Sequence, residues 1–265
     1  MKIGFIGTGN MGAALATAVA KKENGFELFL ADFDRAKAEN LASRIGATVG
    51  GNLSLCETCD MVFLGVKPQV LPALLTEIEP AVKKRGKDLV LVTMAAGIRI
   101  QTLLSALGEQ TPVIRIMPNT PVSVGKGVIV YCTENVSCER EKAFVEALSW
   151  GGIVEKIDEG KIDAASALHG CGPAFVYLFI EALADGAVSC GLSREAAIRF
   201  AAATVGGASE MVLASGKHPA ALKDAVCSPG GTTIEGVRAL EEKGFRGAAM
   251  DAVVAAYKRT MELGK

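Results

Sequence analysis

The sequence predicts an α/β chain: a Rossmann-like, mostly parallel sheet domain over residues 1–157, followed by an all-α helical domain over residues 158–265. Three observations carry this. Short apolar runs alternate with amphipathic helical stretches through the first part, and a glycine-rich turn joins the first run to the first helix. Beyond Gly152–Ile157 strand signals stop, and stretches rich in Ala, Leu and Gly run almost to the end. Alternation of strand and helix argues for a parallel sheet covered on both faces.

In chain order, the first strand is expected at Lys2–Ile6, followed by Gly7-Thr8-Gly9-Asn10-Met11-Gly12 and a helix over Asn10–Lys22. The second strand, Glu27–Ala31, ends at Asp32 and leads to a helix over Asp34–Ile45, for which Asp32 or Asp34 is an available N-cap. A strand over Asp60–Val66 gives way to Gly65-Val66-Lys67-Pro68 and a helix over Pro68–Lys84. The next, Asp88–Met94, runs into Met94-Ala95-Ala96-Gly97 and a helix over Ile100–Leu107. Val113–Met117 is closed by Pro118-Asn119-Thr120-Pro121, and Val128–Cys132 follows.

The helices expected in the second part are Gly160–Leu168, Pro173–Cys190, Ser193–Ser215, Pro219–Val226, Thr232–Lys243 and Arg246–Leu263. Ser193 and Ser215-Gly216 are ordinary start and stop signals. Pro173–Cys190 is apolar almost all round, and such a helix must be buried on every side. A homodimer that wraps these helices together supplies the cover more simply than a deep monomer core.

Composition narrows the function classes. Of 265 residues, 50% are hydrophobic and 22% charged, and 28 Lys+Arg against 29 Asp+Glu leave a net charge of −1, so the chain is expected to be soluble and globular. That balance offers no basic face for nucleic acid. Glu181 and Asp185 inside the most apolar stretch argue against a membrane span. The first residues enter a strand pattern without a basic region, apolar stretch and cleavage site in series, so no secretory signal is expected. Seven scattered cysteines exclude a full disulfide framework and suit a reducing cytosol. Cys56-Glu57-Thr58-Cys59 lacks a second pair or a nearby histidine to complete a zinc site, so no metal is expected and both thiols are read as inert.

Several motifs carry chemistry. In Gly7–Gly12 the first glycine serves a tight turn, the second lets backbone approach a pyrophosphate, and the third allows close packing of helix on strand. Asp32 stands 20 residues beyond Gly12, where an acid bonds the ribose hydroxyls of NAD, while Arg35 is placed to meet a 2′-phosphate instead. The loops Gly65–Pro68 and Met94–Ala96 follow strand ends on the same sheet edge and are positioned to line the crevice. His169, in Leu168-His169-Gly170-Cys171-Gly172-Pro173-Ala174, is read as a cap or packing residue in preference to an acid/base. Cys227-Ser228-Pro229-Gly230-Gly231-Thr232-Thr233 runs into a helix, and its free amides and hydroxyls suit an anion such as a substrate carboxylate.

These loops, together with Leu222-Lys223-Asp224-x-Val226-x-Ser228-Pro229-Gly230-Gly231-Thr232-Thr233 and Gly170-x-Gly172-Pro173-Ala174, resemble the pyrroline-5-carboxylate reductase family over nearly the whole chain. The resemblance implies a Rossmann-type domain, a helical dimerisation domain, dimers that assemble into larger rings, and reduction of 1-pyrroline-5-carboxylate to L-proline by NAD(P)H. NADP is the cofactor it favours, with NAD open. It also implies roles. Ile6, Gly7, Thr8, Gly9, Asn10 and Met11 are similar to the pyrophosphate loop, and Asn52 to a residue near the adenosine phosphate. Gly65, Val66, Lys67 and Pro68, with Met94, Ala95 and Ala96, are similar to the nicotinamide-side loops. Gly230, Gly231 and Thr232, beside Ser228, resemble a carboxylate clamp, Thr233 a hydroxyl that hydrogen-bonds the imine nitrogen, and Glu159 an acid at the mouth of the site. Where the family usually reads Ser-Gly-Ser-Gly-Pro-Ala, this chain has His169 and Cys171.

Two rivals are weighed against this. The β-hydroxyacid dehydrogenase group places a catalytic lysine early in a long second-domain helix, and Pro173–Cys190 contains none. A non-catalytic NAD(P) sensor would have no need of the second anion site at Gly230–Thr233.

Overall fold

The structure is a computed structural model that describes residues 1–22 and 25–263. It divides into two compact units: Met1–Gly170, joined by the end of the chain from Tyr257, and Cys171–Ala256.

The first unit contains β1 (Lys2–Ile6), α1 (Asn10–Ala20), β2 (Glu27–Ala31), α2 (Arg35–Ile45), β3 (Thr48–Val49), α3 (Asn52–Thr58), β4 (Met61–Leu64), α4 (Leu71–Arg85), β5 (Val90–Thr93), α5 (Ile100–Leu107), β6 (Val113–Pro118), β7 (Gly127–Glu134), α6 (Cys138–Leu148), β8 (Gly152–Lys156) and α7 (Ile162–Ala165). The strands form one eight-stranded sheet in the order β3-β2-β1-β4-β5-β6-β7-β8. All neighbours are parallel except β6 and β7, which pair antiparallel from Val113↔Glu134 to Pro118↔Ile129. Ile6 pairs with both Ala31 and Leu64, and Leu64 with Thr93, so the carboxyl ends of β2, β1, β4 and β5 finish level. Loops leaving those ends therefore meet along one edge of the sheet, where open α/β sheets bind ligands.

Both faces are covered, and β4 and β5 are accordingly apolar or buried at every position. On one face α4 and α5 pack Leu75, Ile78, Leu103 and Leu107 over Val62 and Leu91. On the other, Leu15, Leu41 and Phe144 from α1, α2 and α6 close over Phe5 and Phe63, whose rings stack at 4.5 Å.

The first two strands and α5 have the expected limits, and the remaining expected strands of this unit shift by one to two residues at either end. The helix expected from Pro68 begins at Leu71, because Lys67–Val70 closes a turn in which the Val70 amide donates to the Lys67 carbonyl at 2.9 Å. Three elements were not anticipated: α3, α6 and the two-residue β3. Helix α3 buries only Leu55 and Cys56, and α6 only Phe144, Ala147 and Leu148 behind a charged first half, so neither shows a long apolar stripe.

The second unit contains α8 (Gly172–Ser189), α9 (Arg194–Ser215), α10 (Pro219–Val226), α11 (Thr232–Glu242) and most of α12 (Phe245–Leu263). Small side chains let α8 and α9 approach closely, with Ala184, Ala197 and Ala201 buried between them. Asp185 and Arg194 form an ion pair, and the rings of Phe179 and Phe245 lie 5.5 Å apart. Ser193 Oγ caps α9 by accepting from the Ala196 amide, and His218 Nδ1 caps α10 by accepting from the Ala220 amide. Leu178, Ile198, Phe200, Met211 and Leu213 are exposed. The helical run Glu159–Ser189 and helix α9 are long and apolar enough to cross a membrane by length and composition.

Candidate active site

The glycine turn after β1 is built by contacts of the chain with itself. Gly7 has φ +95°, and a Cβ there would lie 2.6 Å from the Gly65 carbonyl oxygen. A Cβ on Gly12 would overlap the Gly7 carbonyl oxygen, so the start of α1 can lie this close to the turn only without one. Gly65, from the loop after β4, is held to the same condition by the Gly7 oxygen at 2.7 Å. Gly9 differs: nothing lies within 4 Å of its Cβ position. Packing within the chain accounts for Gly7, Gly12 and Gly65 but not for Gly9, whose surroundings are open. Gly9 is also the N-cap of α1, no side chain caps that helix, and its first turn holds no acidic residue. Its first amides are thus available to an anion such as pyrophosphate.

Thr8 is buried and points its amide and hydroxyl at Asp32 Oδ2, at 2.5 and 2.8 Å, while the Asp34 amide donates to Oδ1 at 2.9 Å. Partial burial pushes the Asp32 carboxyl up. Hydrogen bonds from Thr8 and Asp34, with the Lys37 charge, outweigh burial and hold it below the ordinary carboxylate range. Asp34 is the N-cap of α2 but makes no side-chain cap bond. Arg35 Nε donates to Glu39 Oε1 at 2.8 Å on the exposed face of α2.

The structure gathers most of the expected cofactor residues. Ile6–Gly12, Gly65–Pro68 and Met94–Ala96 follow the neighbouring strands β1, β4 and β5, and Asp32 follows β2. Val66 packs against the core, Ala95 is buried, and Lys67 and Ala96 are exposed. Asn52 begins α3, where its Nδ2 donates to Glu77 Oε2 at 3.0 Å.

The strand beside these, β6, ends in a joint that sequence reasoning did not resolve. Asn119 is buried; its Nδ2 donates to the His169 carbonyl at 2.9 Å and its Oδ1 accepts from the Val128 amide at 2.8 Å. His169 lies in a π-helical turn, Ser166–Gly170, with Nε2 2.9 Å from the Met117 carbonyl and Nδ1 2.6 Å from that of Ala165. Both ring nitrogens are engaged by backbone, in keeping with a packing role. Glu159 Oε1 accepts from the Ile100 amide at 2.8 Å and from Arg115 Nη1 at 3.2 Å, and Arg115 Nη2 reaches Asp163 Oδ1 at 3.2 Å. This cluster around the buried Arg115 also escaped sequence reasoning, which singled out only Glu159 among its members. Its one signal was a lone arginine in the otherwise apolar run Val113–Pro118.

In the second unit the segment before α11 turns at Ser228–Gly231, where the Gly231 amide donates to the Ser228 carbonyl at 3.0 Å. Gly230 has φ +64°, which favours glycine. A Cβ on Gly231 would overlap the Ser228 hydroxyl. No side chain caps α11, and Thr232 and Thr233 stand exposed in its first turn. Free amides beside two hydroxyls suit a carboxylate and a hydrogen-bond acceptor next to it.

Cys56 and Cys59 are buried free thiols on and just after α3. Burial pushes Cys56 up to about 12 and Cys59 up to about 11, so both stay protonated and unreactive near neutrality.

Comparisons with known proteins agree along the whole chain. Residues 159–263 match the model for pyrroline-5-carboxylate reductase dimerisation, and residues 2–97 that for NADP oxidoreductase, coenzyme F420-dependent. The chain is 39% identical to a pyrroline-5-carboxylate reductase of Methanosarcina acetivorans, covering 100% of this chain and 98% of the relative. It is 41% identical to that of Arabidopsis thaliana, covering 100% and 96%. Among solved structures, pyrroline carboxylate reductase of Plasmodium falciparum with NADP bound superimposes with a TM-score of 0.83 at 34% identity, covering 100% of this chain and 98% of that one. A glycine cradle shaped for a dinucleotide, an uncapped helix start suited to a carboxylate, and this likeness over the full length converge on one conclusion: the chain belongs to the pyrroline-5-carboxylate reductase family.

Proposed function

We propose that this chain reduces the C=N bond of 1-pyrroline-5-carboxylate to give L-proline, the final step of proline biosynthesis, with NADP(H) as cofactor and NAD(H) as a second possibility. The observation that carries the reading is the glycine cradle in a chain with full-length relatives of this activity: an open Gly9 before an uncapped α1, with Gly7, Gly12 and Gly65 required by packing. The bound dinucleotide supplies hydride. The first amides of α1 hold the pyrophosphate, and Gly65–Pro68 with Met94–Ala96 border the nicotinamide. In the second unit Ser228, Gly230, Gly231 and Thr232 hold the substrate carboxylate, and the Thr233 hydroxyl donates to the ring nitrogen. A hydrogen bond or proton on that nitrogen makes the imine carbon a better hydride acceptor, and a fixed carboxylate orients it. Hydride adds to carbon and a solvent proton completes the amine, so no strong side-chain acid is required. Glu159 acts at the mouth of the site through its tie to Arg115 and the start of α5.

The working form is a homodimer, extending to rings of dimers. Its support is the exposed apolar surface of α8 and α9 within the segment that matches the dimerisation model. Glu181 and the Asp185–Arg194 pair favour a second copy over lipid as the cover. Seven free cysteines suit a reducing, cytoplasmic setting. Purified protein with 1-pyrroline-5-carboxylate is expected to oxidise NADPH, read by its absorbance, and to elute as a dimer or a multiple of it. Absence of turnover with either dinucleotide, despite binding, refutes the activity.

A further inference from the structure

Asp32 stands where the two nicotinamide dinucleotides differ. In glycine-loop sites an acid at the end of the second strand bonds the adenosine ribose hydroxyls, and an arginine nearby receives a 2′-phosphate instead. Here the acid is held by three donors: Oδ2 takes the Thr8 amide and hydroxyl, and Oδ1 the Asp34 amide. A carboxylate oxygen has about two acceptor positions. Oδ2 is therefore filled, while Oδ1 keeps one for a further donor such as a ribose hydroxyl. Thr8 belongs to the glycine turn itself, so the anchoring ties the carboxylate to the pyrophosphate loop. The cations in the first turn of α2 have carboxylate partners. Arg35 Nε donates to Glu39 Oε1 at 2.8 Å, and Lys37 Nζ lies 3.6 Å from Asp34 Oδ2. Lys37 and Arg44, both on α2, also line a cavity of about 400 Å³ that they share with Thr8, Ala13, Asn40 and Leu41.

We propose that Asp32 is a specificity-determining residue: its Oδ1 accepts from the ribose of NADH, and its charge opposes the 2′-phosphate of NADPH, so that NADH binds at least as tightly as NADPH. This rests on the reductase reading above. A like charge set against a phosphate costs enough to change the affinity ratio by about tenfold or more.

The test is direct binding, by calorimetric titration of the full chain with NADH and with NADPH, alongside kcat/KM for each. Wild type is expected to bind NADH with an affinity equal to or greater than that for NADPH. Asp32→Asn and Asp32→Ser, checked for folding by thermal melting, are expected to shift the affinity ratio toward NADPH by about tenfold or more. The proposal is overturned if both variants leave the ratio unchanged. It is equally overturned if wild type binds NADPH about tenfold more tightly and loses that preference in Lys37→Ala or Arg44→Ala, which would place the 2′-phosphate on α2. The wild-type ratio decides without any variant if the variants fail to fold. Binding of neither dinucleotide overturns the reductase reading, and this proposal with it.

Discussion

Arg115→Met tests the half-buried ion cluster that ties the centre of the sheet to the chain leaving it. Arg115 lies on β6 with its side chain 2% exposed, and its two terminal nitrogens each lie 3.2 Å from a carboxylate, Glu159 and Asp163. Methionine fills most of the same volume but removes the charge, leaving both carboxylates without their cation. Removing one partner of a buried pair costs about 3–5 kcal/mol. Glu159 and Asp163 are 32% and 24% exposed, so water relieves part of the loss and the low end, about 3 kcal/mol, applies. Arg115 Nε is buried without a hydrogen-bond partner among the described residues, and deleting it returns about 1 kcal/mol. The net expectation is a loss of about 2 kcal/mol, or about 4–8 °C in Tm for a unit of this size. Urea unfolding followed by tryptophan emission reads the correct unit, because the single tryptophan, Trp150, packs against the same sheet. Protein concentration must be held fixed because a dimer couples association to stability. Adding Glu159→Gln and Asp163→Asn to Arg115→Met is expected to recover most of the loss, since replacing a whole buried cluster costs far less than breaking it. A change under about 0.5 kcal/mol in the single variant, with no recovery in the triple, would refute the argument.

Four further predictions separate packing from function. Gly12→Ala is expected to destabilise by about 1–3 kcal/mol through collision with the Gly7 carbonyl. Gly9→Ala, which meets nothing within 4 Å, should leave Tm unchanged yet weaken dinucleotide binding; unaltered titration curves for Gly9→Ala would count against the cradle. Thr233→Val should lower kcat by about 100-fold, as loss of a single positioned donor does, with stability shifted by less than about 0.5 kcal/mol at this exposed position. Unchanged turnover removes the imine-nitrogen role. Finally, maleimide at pH 8 followed by peptide mapping should modify exposed Cys138 well before Cys56, Cys59 and Cys132, whose thiols burial pushes up to about 12, about 11 and about 11. Early labelling of Cys56 would show that α3 opens readily.

What could be read along the chain was local. Gly7, Gly9 and Gly12 announce a turn between strand and helix because the motif spans only six residues, although the contact that bars a Cβ at Gly7 comes from Gly65, far along the chain. The first two strands, α5 and α10 were legible at their limits because periodicity and terminal residues settle them over a few positions. The uncapped, glycine-led start of α11 was legible for the same reason. Helix α6 was not, since its first half is charged and its three buried residues fall at the end.

Contacts between distant residues followed a different logic. Nothing within the run Val113–Pro118 says which carboxylates meet Arg115, since Glu159 and Asp163 come 44 and 48 residues later. Asn119 and His169 are 50 apart, and their joint forms only when the π-helical turn is laid against the end of β6. Asp32 and Arg35 pull in opposite directions in the sequence. Folding brings Thr8 onto Asp32 and Glu39 onto Arg35, leaving one acid tied to the glycine turn and one arginine paired on the exposed face of α2. Turn geometry and helix periodicity belong to neighbours in the chain and can be read there. The choice of hydrogen-bond and charge partners belongs to neighbours in space, and packing assigns them.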